Sequence, residues 1–165
     1  MDDLMNRRRE MIAASRSDIA YEAFNLSFDR TNYIDTGVRL FSAENINKDF
    51  EFVAEHIYGP QVSNDATIIC AKHNGNAYGF LVRVRNSSDS SYKGTIYVMP
   101  NYDNSIVVRR VNGVISIEGD KITNKPKFTN TIFNHPLVFG CAIDDNGNPY
   151  RYAQGTIAHV RLRWL

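Results

Sequence analysis

From residue 20 onward the chain is a succession of short apolar–polar alternations, cut by clusters of Asn, Asp, Ser and Gly. A period of two puts successive side chains on opposite faces and restricts the chain to sheets. "DFEFVAEHIY" (49–58) sets Phe50, Phe52 and Ala54 against Asp49, Glu51, Val53 and Glu55. "YGFLVRVRN" (78–86) sets Phe80, Val82 and Val84 against Leu81, Arg83 and Arg85. In "GTIAHVRLRW" (155–164), Ala158, Val160, Leu162 and Trp164 form the inward face and His159, Arg161 and Arg163 the outward one. "YIDTGV", "ATIICAK" (66–72), "GTIYVM" (94–99) and "PLVFGCAI" (136–143) add further strands. "SIVVRRVNGVISIEG" reads as a hairpin, with Asn112-Gly113 supplying the positive-φ pair of a type I′ turn. "NSSDSSYKG" (86–94) reads as an exposed connector. About eight or nine such strands, with turn signals at modest spacing, predict an all-β sandwich or barrel.

The first residues follow another rule. "MDDLMNRRREMIAASR" has no Gly or Pro, Asp2 and Asp3 near its start and Arg16 at its end, which suits a helix and its dipole. Leu4, Met5, Met11 and Ile12 fall on one stripe. A helix this short is not stable alone in water, so it must dock on the domain or on another chain. The expected division is 1–19, a helical attachment segment whose assembly residues are Leu4, Met5, Arg8, Met11 and Ile12, and 20–165, the β domain.

A chain of 165 residues suits one such domain with a core of its own. The formal net charge of +1 gives no global field for nucleic acid, and the Arg residues are not interleaved with aromatics along one segment, so no nucleic-acid partner is expected. Cys70 and Cys141 both sit in apolar runs and read as buried free thiols of a chain made in a reducing compartment. After "NRRRE" the apolar stretch is only "MIAA", too short for a cleaved export signal. No run approaches the ~18–20 apolar residues of a membrane span, so no insertion is expected.

Motifs with chemistry are few. "DDNGNPYRY" (144–152) crowds carboxylates, amides and Tyr together, but its Gly stands fourth where an EF-hand needs it sixth, and the twelfth residue, Gly155, is no ligand. It reads as a turn built on Asn146-Gly147, with Pro149 limiting further pairing. The alternative is a loose oxygen cage of Asp144, Asp145 and a carbonyl holding calcium. Otherwise no metal or cofactor is expected. Asp49, Glu51 and Glu55 share a strand face, yet Val53 stands where a second working carboxylate of a glycan-cleaving pair belongs. The histidines, His56, His73, His135 and His159, show no ligand spacing. With no nucleophile elbow or phosphate loop, no enzyme is expected. Aromatic platforms remain. Tyr102, Asp103, Asn104, Tyr150, Arg151 and Tyr152 combine flat rings with directed polar groups and are the candidate glycan-binding residues, beside Tyr92 and Tyr97. The bland alternative is that these rings pack over the ends of the sandwich.

"FDRTNYIDTGVRL", "KDFEFVAEH", "ATIICAK" and the terminal "GNPYRYAQGTIAHVRL" resemble the concanavalin A-like, laminin-G-like jelly rolls, across roughly residues 24–165. The resemblance implies a two-sheet antiparallel jelly-roll sandwich in which the strand of Tyr33–Gly37 pairs with the terminal strand of Gly155–Arg161. "LMNRRREMI" resembles the leaders of minor structural proteins of bacteriophages and prophages. Together they imply a non-enzymatic virion structural protein, made in the host cytoplasm: a head fibre, decoration or tail-associated module. Its helix would bind other virion proteins or further copies of itself as an oligomer, and its lectin-like sandwich would face host-surface glycan. The alternative is a free-standing carbohydrate-binding module.

Overall fold

The computed structural model describes residues 18–73 and 78–165. The expected helix, with Leu4, Met5, Arg8, Met11 and Ile12, lies outside the described residues. Among the described residues there are strands and turns only: β1 (Ile19–Asp29), β2 (Ile34–Asp35), β3 (Phe50–Tyr58), β4 (Thr67–His73), β5 (Tyr78–Val84), β6 (Thr95–Val98), β7 (Asn104–Val111), β8 (Val114–Gly119), β9 (Val138–Phe139), β10 (Ala142–Ile143), β11 (Pro149–Tyr150) and β12 (Gln154–Trp164). They form two five-stranded sheets, β1-β12-β3-β7-β8 (sheet 1) and β2-β9-β4-β5-β6 (sheet 2), and a small β10-β11 pair. None of this is a helix long and apolar enough to cross a membrane.

The two sheets face each other across an aromatic core. Phe52 of sheet 1 lies 6.1 Å from Phe80 and 6.0 Å from Phe139 of sheet 2, and Tyr21 lies 5.9 Å from Phe139. The alternating residues expected to point inward, Phe50, Phe52, Ala54, Phe80, Val82, Val160 and Leu162, are all buried there. Burial of such side chains contributes about 1.5–3 kcal/mol each and drives the two faces together. The β7–β8 hairpin forms as expected, with Asn112 (φ 51°) and Gly113 (φ 79°) at its turn.

Three expectations are corrected. The pairing is not wholly antiparallel, because β6 runs parallel to β5. Residues 85–94 carry the chain back along the sheet edge. Asn124 fastens this return: its Nδ2 donates to the Asp89 and Thr95 carbonyls and its Oδ1 accepts from the Tyr97 amide. Second, β2, the strand of Ile34 and Asp35, pairs with β9 and not with the terminal strand. The terminal β12 instead lies between β1 and β3. Third, 136–143 is two strands. Gly140 turns the chain at φ 94° with its backbone pressed on the Phe28 ring, so β9 stays in sheet 2 while β10 leaves it. Asp18 holds the start of β1: its carbonyl accepts from Trp164 N and its carboxylate pairs with Arg163.

The segment after Gly140 explains why sheet 2 is buried on both sides. Cys70, Leu81, Val138, Cys141, Ala142 and Ile143 form a second, smaller cluster outside the main core, with Tyr150 and Tyr152 packed on it. Cys70 and Cys141 are free and buried there, and burial pushes the Cys141 thiol up to about 12.

Candidate functional site

Sheet 1 carries a crease on its outer face. Alternation slips at one place in three neighbouring strands: Ala23 to Leu26 in β1, Val160 to Ile157 in β12, Ala54 to Ile57 in β3. Each slip leaves two consecutive residues outside the core: Phe24-Asn25, Ala158-His159 and Glu55-His56. Asn25 (φ 55°) and His56 (φ 57°) absorb it in left-handed backbone, and His56 opens a bulge against β7. Ala158 therefore does not point into the core as its spacing suggested; Ile157 does. Because the slips are in register, the strands bend together and leave an open groove of about 410 Å³ lined by Asn25, Ser27, His56, Tyr58, Asp103 and Thr156.

The groove is furnished with polar pairs and exposed rings. Asp103 receives His56 Nδ1 with both oxygens, at 2.8 and 2.9 Å. That hydrogen bond raises the His56 pKa above its ordinary value. Among the described residues no hydroxyl is hydrogen-bonded to the His56 ring; Ser105 Oγ instead accepts from its backbone N–H. Beside it His159 bridges Glu22 (2.8 Å) and Glu55 (3.2 Å), under a stacked Phe24 ring 4.5 Å away. Phe24, Tyr58 and Tyr102 are 62, 49 and 54% exposed: Tyr58 lines the groove, Phe24 stacks on His159, and Lys121 Nζ lies 5.9 Å from the Tyr102 ring centroid. Flat apolar faces next to fixed donors and acceptors are what a sugar ring requires.

The candidate glycan residues divide between two places. Tyr102 and Asp103 belong to the loop before β7 and join the crease through His56. Asn104 is buried and structural: its amide donates to the Ile57, Met99 and Tyr102 carbonyls and closes that loop. Tyr150, Arg151 and Tyr152 lie over the outer face of sheet 2, with Tyr152 bridged to Thr67. Tyr97 is no loop residue but a buried member of β6. Asp144 shapes a turn, its Oδ1 accepting from the Asn146 and Asn148 amides while Gly147 N donates to its carbonyl. Asp145 lines an open groove of about 660 Å³ with Tyr33, Asp35 and His135. No group of three or more His, Cys, Asp or Glu among the described residues is placed to hold a metal ion.

The carboxylates of β3, and Asp49 just before it, are all engaged. Glu51 accepts from Arg109 Nε at 2.9 Å and Arg163 Nε at 3.1 Å, with Arg161 at 3.8 Å. Burial alone would raise its pKa; the two guanidinium hydrogen bonds outweigh that and hold it below the ordinary value. Asp49 accepts from the Asn112 amide and Glu55 from His159. Sequence reasoning passed over His56, Tyr58 and Phe24. The one signal was the break in alternation itself, "AFNL" and "AEHI", which registers as noise until three strands are seen side by side.

Comparison with protein-family models and with curated proteins finds no match.

Proposed function

We propose that the protein is a non-enzymatic recognition module with a concanavalin A-like jelly-roll sandwich, of the kind that serves as a bacteriophage-type virion component. Head fibre, decoration and tail-associated protein are the roles that suit it, with the sandwich facing outward to host-surface glycan and the first residues mediating assembly. The observation that carries the recognition reading is the crease: exposed Tyr58 lines a groove edged by the His56–Asp103 pair, with exposed Phe24 and Tyr102 next in the chain to its lining residues Asn25 and Asp103. Left-handed backbone at Asn25 and His56 costs free energy, and such strain persists where surrounding structure holds it for a use. The non-enzymatic reading is supported by the engagement of Glu51, Asp49 and Glu55 in hydrogen bonds that shape the sheet. The virion reading rests on the leader "LMNRRREMI" alone.

A glycan array probed with full-length protein tests the recognition reading. Binding is expected, with Tyr58→Ala and Tyr102→Ala each weakening it at least ~10-fold while melting temperature is kept, because a stacked ring supplies on the order of 1 kcal/mol or more beyond its area. Binding unaffected by both variants would refute the crease as the site. Light scattering of the full chain beside one begun at Asp18 tests assembly. A defined oligomer that becomes a folded monomer is expected; two monomers would refute the assembly role of residues 1–17.

A further inference from the structure

The outer face of sheet 2 carries a second polar layer that the crease does not use. Register sets Cys70 beside Leu81 and Leu81 beside Thr95, and the next outward row sets Arg83 beside Tyr97. These rows are about 7 Å apart along the strands. Lys72, two residues past Cys70 on the same face, reaches across to Thr95, its ammonium 3.5 Å from Oγ1. The β10–β11 hairpin lies over this face, packing Tyr150 on the Cys70–Leu81 cluster. Arg151 sits 4.8 Å over the Tyr150 ring, and Arg85 lies 5.5 Å over that of Tyr97.

Two independent observations mark this face as incomplete. The first is charge. Lys72 and Arg83 are 8 and 7% exposed, and buried cations ordinarily hold a carboxylate. Among the described residues Arg83 has only an exposed Asp65 oxygen at 3.9 Å, and Lys72 has only the Thr95 hydroxyl. Burial, and then the nearby Arg83 and Arg151, hold the Lys72 pKa below its ordinary value. The second is hydrogen bonding. Among the described residues Arg83 Nε, Tyr97 Oη and Tyr150 Oη are buried and find no hydrogen-bond partner, on a face where the cations have little counter-charge. Folded proteins leave few such groups, because each costs ~1–3 kcal/mol. N–H and O–H donors beside unneutralised cations are the complement of an oxyanion.

We infer that the outer face of sheet 2, between Lys72, Arg83, Tyr97 and Tyr150, is an oxyanion site, taking a carboxylate, phosphate or sulfate group either free or carried on an acidic saccharide. Arg83 Nε–H and the two phenol hydroxyls donate, Lys72 supplies charge, and Arg151 borders the site on the hairpin. The site stands apart from the crease, on the other sheet, and does not depend on what the crease binds.

The test uses the full-length protein. Melting temperature and calorimetric binding are measured against sodium sulfate and sodium phosphate at ionic strength balanced with chloride, then against a sulfated and a uronic-acid oligosaccharide. Saturable binding by at least one probe is expected, weakened at least ~10-fold by Lys72→Met and by Tyr97→Phe and unchanged by Tyr58→Ala. Tyr97→Phe removes only an unpartnered hydroxyl, so its unliganded melting temperature should match or exceed the wild type, and it decides the matter if Lys72→Met fails to fold. A saccharide that binds ~10-fold tighter than the inorganic ions places the anion on a sugar; equal affinities indicate a free anion. A rise in melting temperature that is linear in salt, does not saturate and is shared by both variants is a general salt effect and overturns the inference. So does the absence of binding by every probe.

Discussion

Replacing Arg110 should cost this protein a large part of its stability, although the residue touches no candidate site. Its side chain is fully buried in β7 and, among the described residues, bonded to no carboxylate. Nε donates to the Lys48 carbonyl at 3.0 Å, Nη1 to Asn130 Oδ1 at 3.0 Å, and Nη2 to the Leu40 and Asn45 carbonyls at 2.9 and 2.8 Å. Phe41 and Phe50 flank the guanidinium, their centroids 5.3 and 4.9 Å away. The fork thus fastens the loop between β2 and β3, which crosses from sheet 2 to sheet 1, at several of its backbone carbonyls. Arg110→Ala strips four acceptors and leaves a cavity between two rings. At ~1 kcal/mol for each lost partner, with the cavity roughly offset by the recovered desolvation of the guanidinium, the cost is about 4 kcal/mol. At ~3 °C per kcal/mol for a chain of this size, the melting temperature falls by about 12 °C. Arg110→Lys keeps the charge but not the planar fork, and should recover no more than ~2 kcal/mol of that loss. Chemical denaturation followed by far-UV circular dichroism measures both. If the lysine variant lies within ~1 kcal/mol of the wild type, charge and not fork geometry holds the loop, and the reasoning fails.

Stability should pass through a maximum in mildly acidic solution. Glu51 has a lowered pKa, so its contribution is present above its ordinary value of 4.5 and is lost as pH falls through the folded value. His159 has a raised pKa, chiefly from its hydrogen bond to Glu22, so its contribution is complete below 6.5 and is lost as pH rises through the folded value. His56 acts in the same direction. The His159 pairs are partly exposed, so the alkaline loss is under ~1 kcal/mol, and Glu22→Gln should flatten it in a pH series of denaturation midpoints; a slope kept in that variant would refute the assignment. Gly140→Ala should destabilise by at least ~2 kcal/mol, because its φ is 94° and a Cβ would come within 2.4 Å of the Phe28 ring. A melting temperature unchanged by that substitution would mean the turn out of sheet 2 is not held as tightly as its geometry implies.

What the sequence determined by itself is whatever depends on neighbours in the chain. Strict alternation of Phe50, Phe52 and Ala54, or of Phe80, Val82 and Val84, dictates which face meets the core, since the pleat permits no other arrangement. Asn112-Gly113 dictates its hairpin, because positive φ at both positions is a local property. The broad class, sheets packed on sheets, follows from these. Tertiary structure alone decided the rest. The parallel return of β6 and the placing of β2 beside β9 depend on partners far along the chain, about which a short segment carries no information. The crease required three strands to slip at the same level, and each slip alone only blurs a pattern. Tyr102 and Tyr152, similar in composition and loop setting, were sent to opposite faces of the sandwich by connections the sequence does not display. Lys72 and Arg83 look like ordinary outward charges on alternating strands. Yet both are buried, on a face of sheet 2 where Gly140 turns the chain out of the sheet and the hairpin of Tyr150 packs on Cys70 and Leu81, their neighbours two residues away.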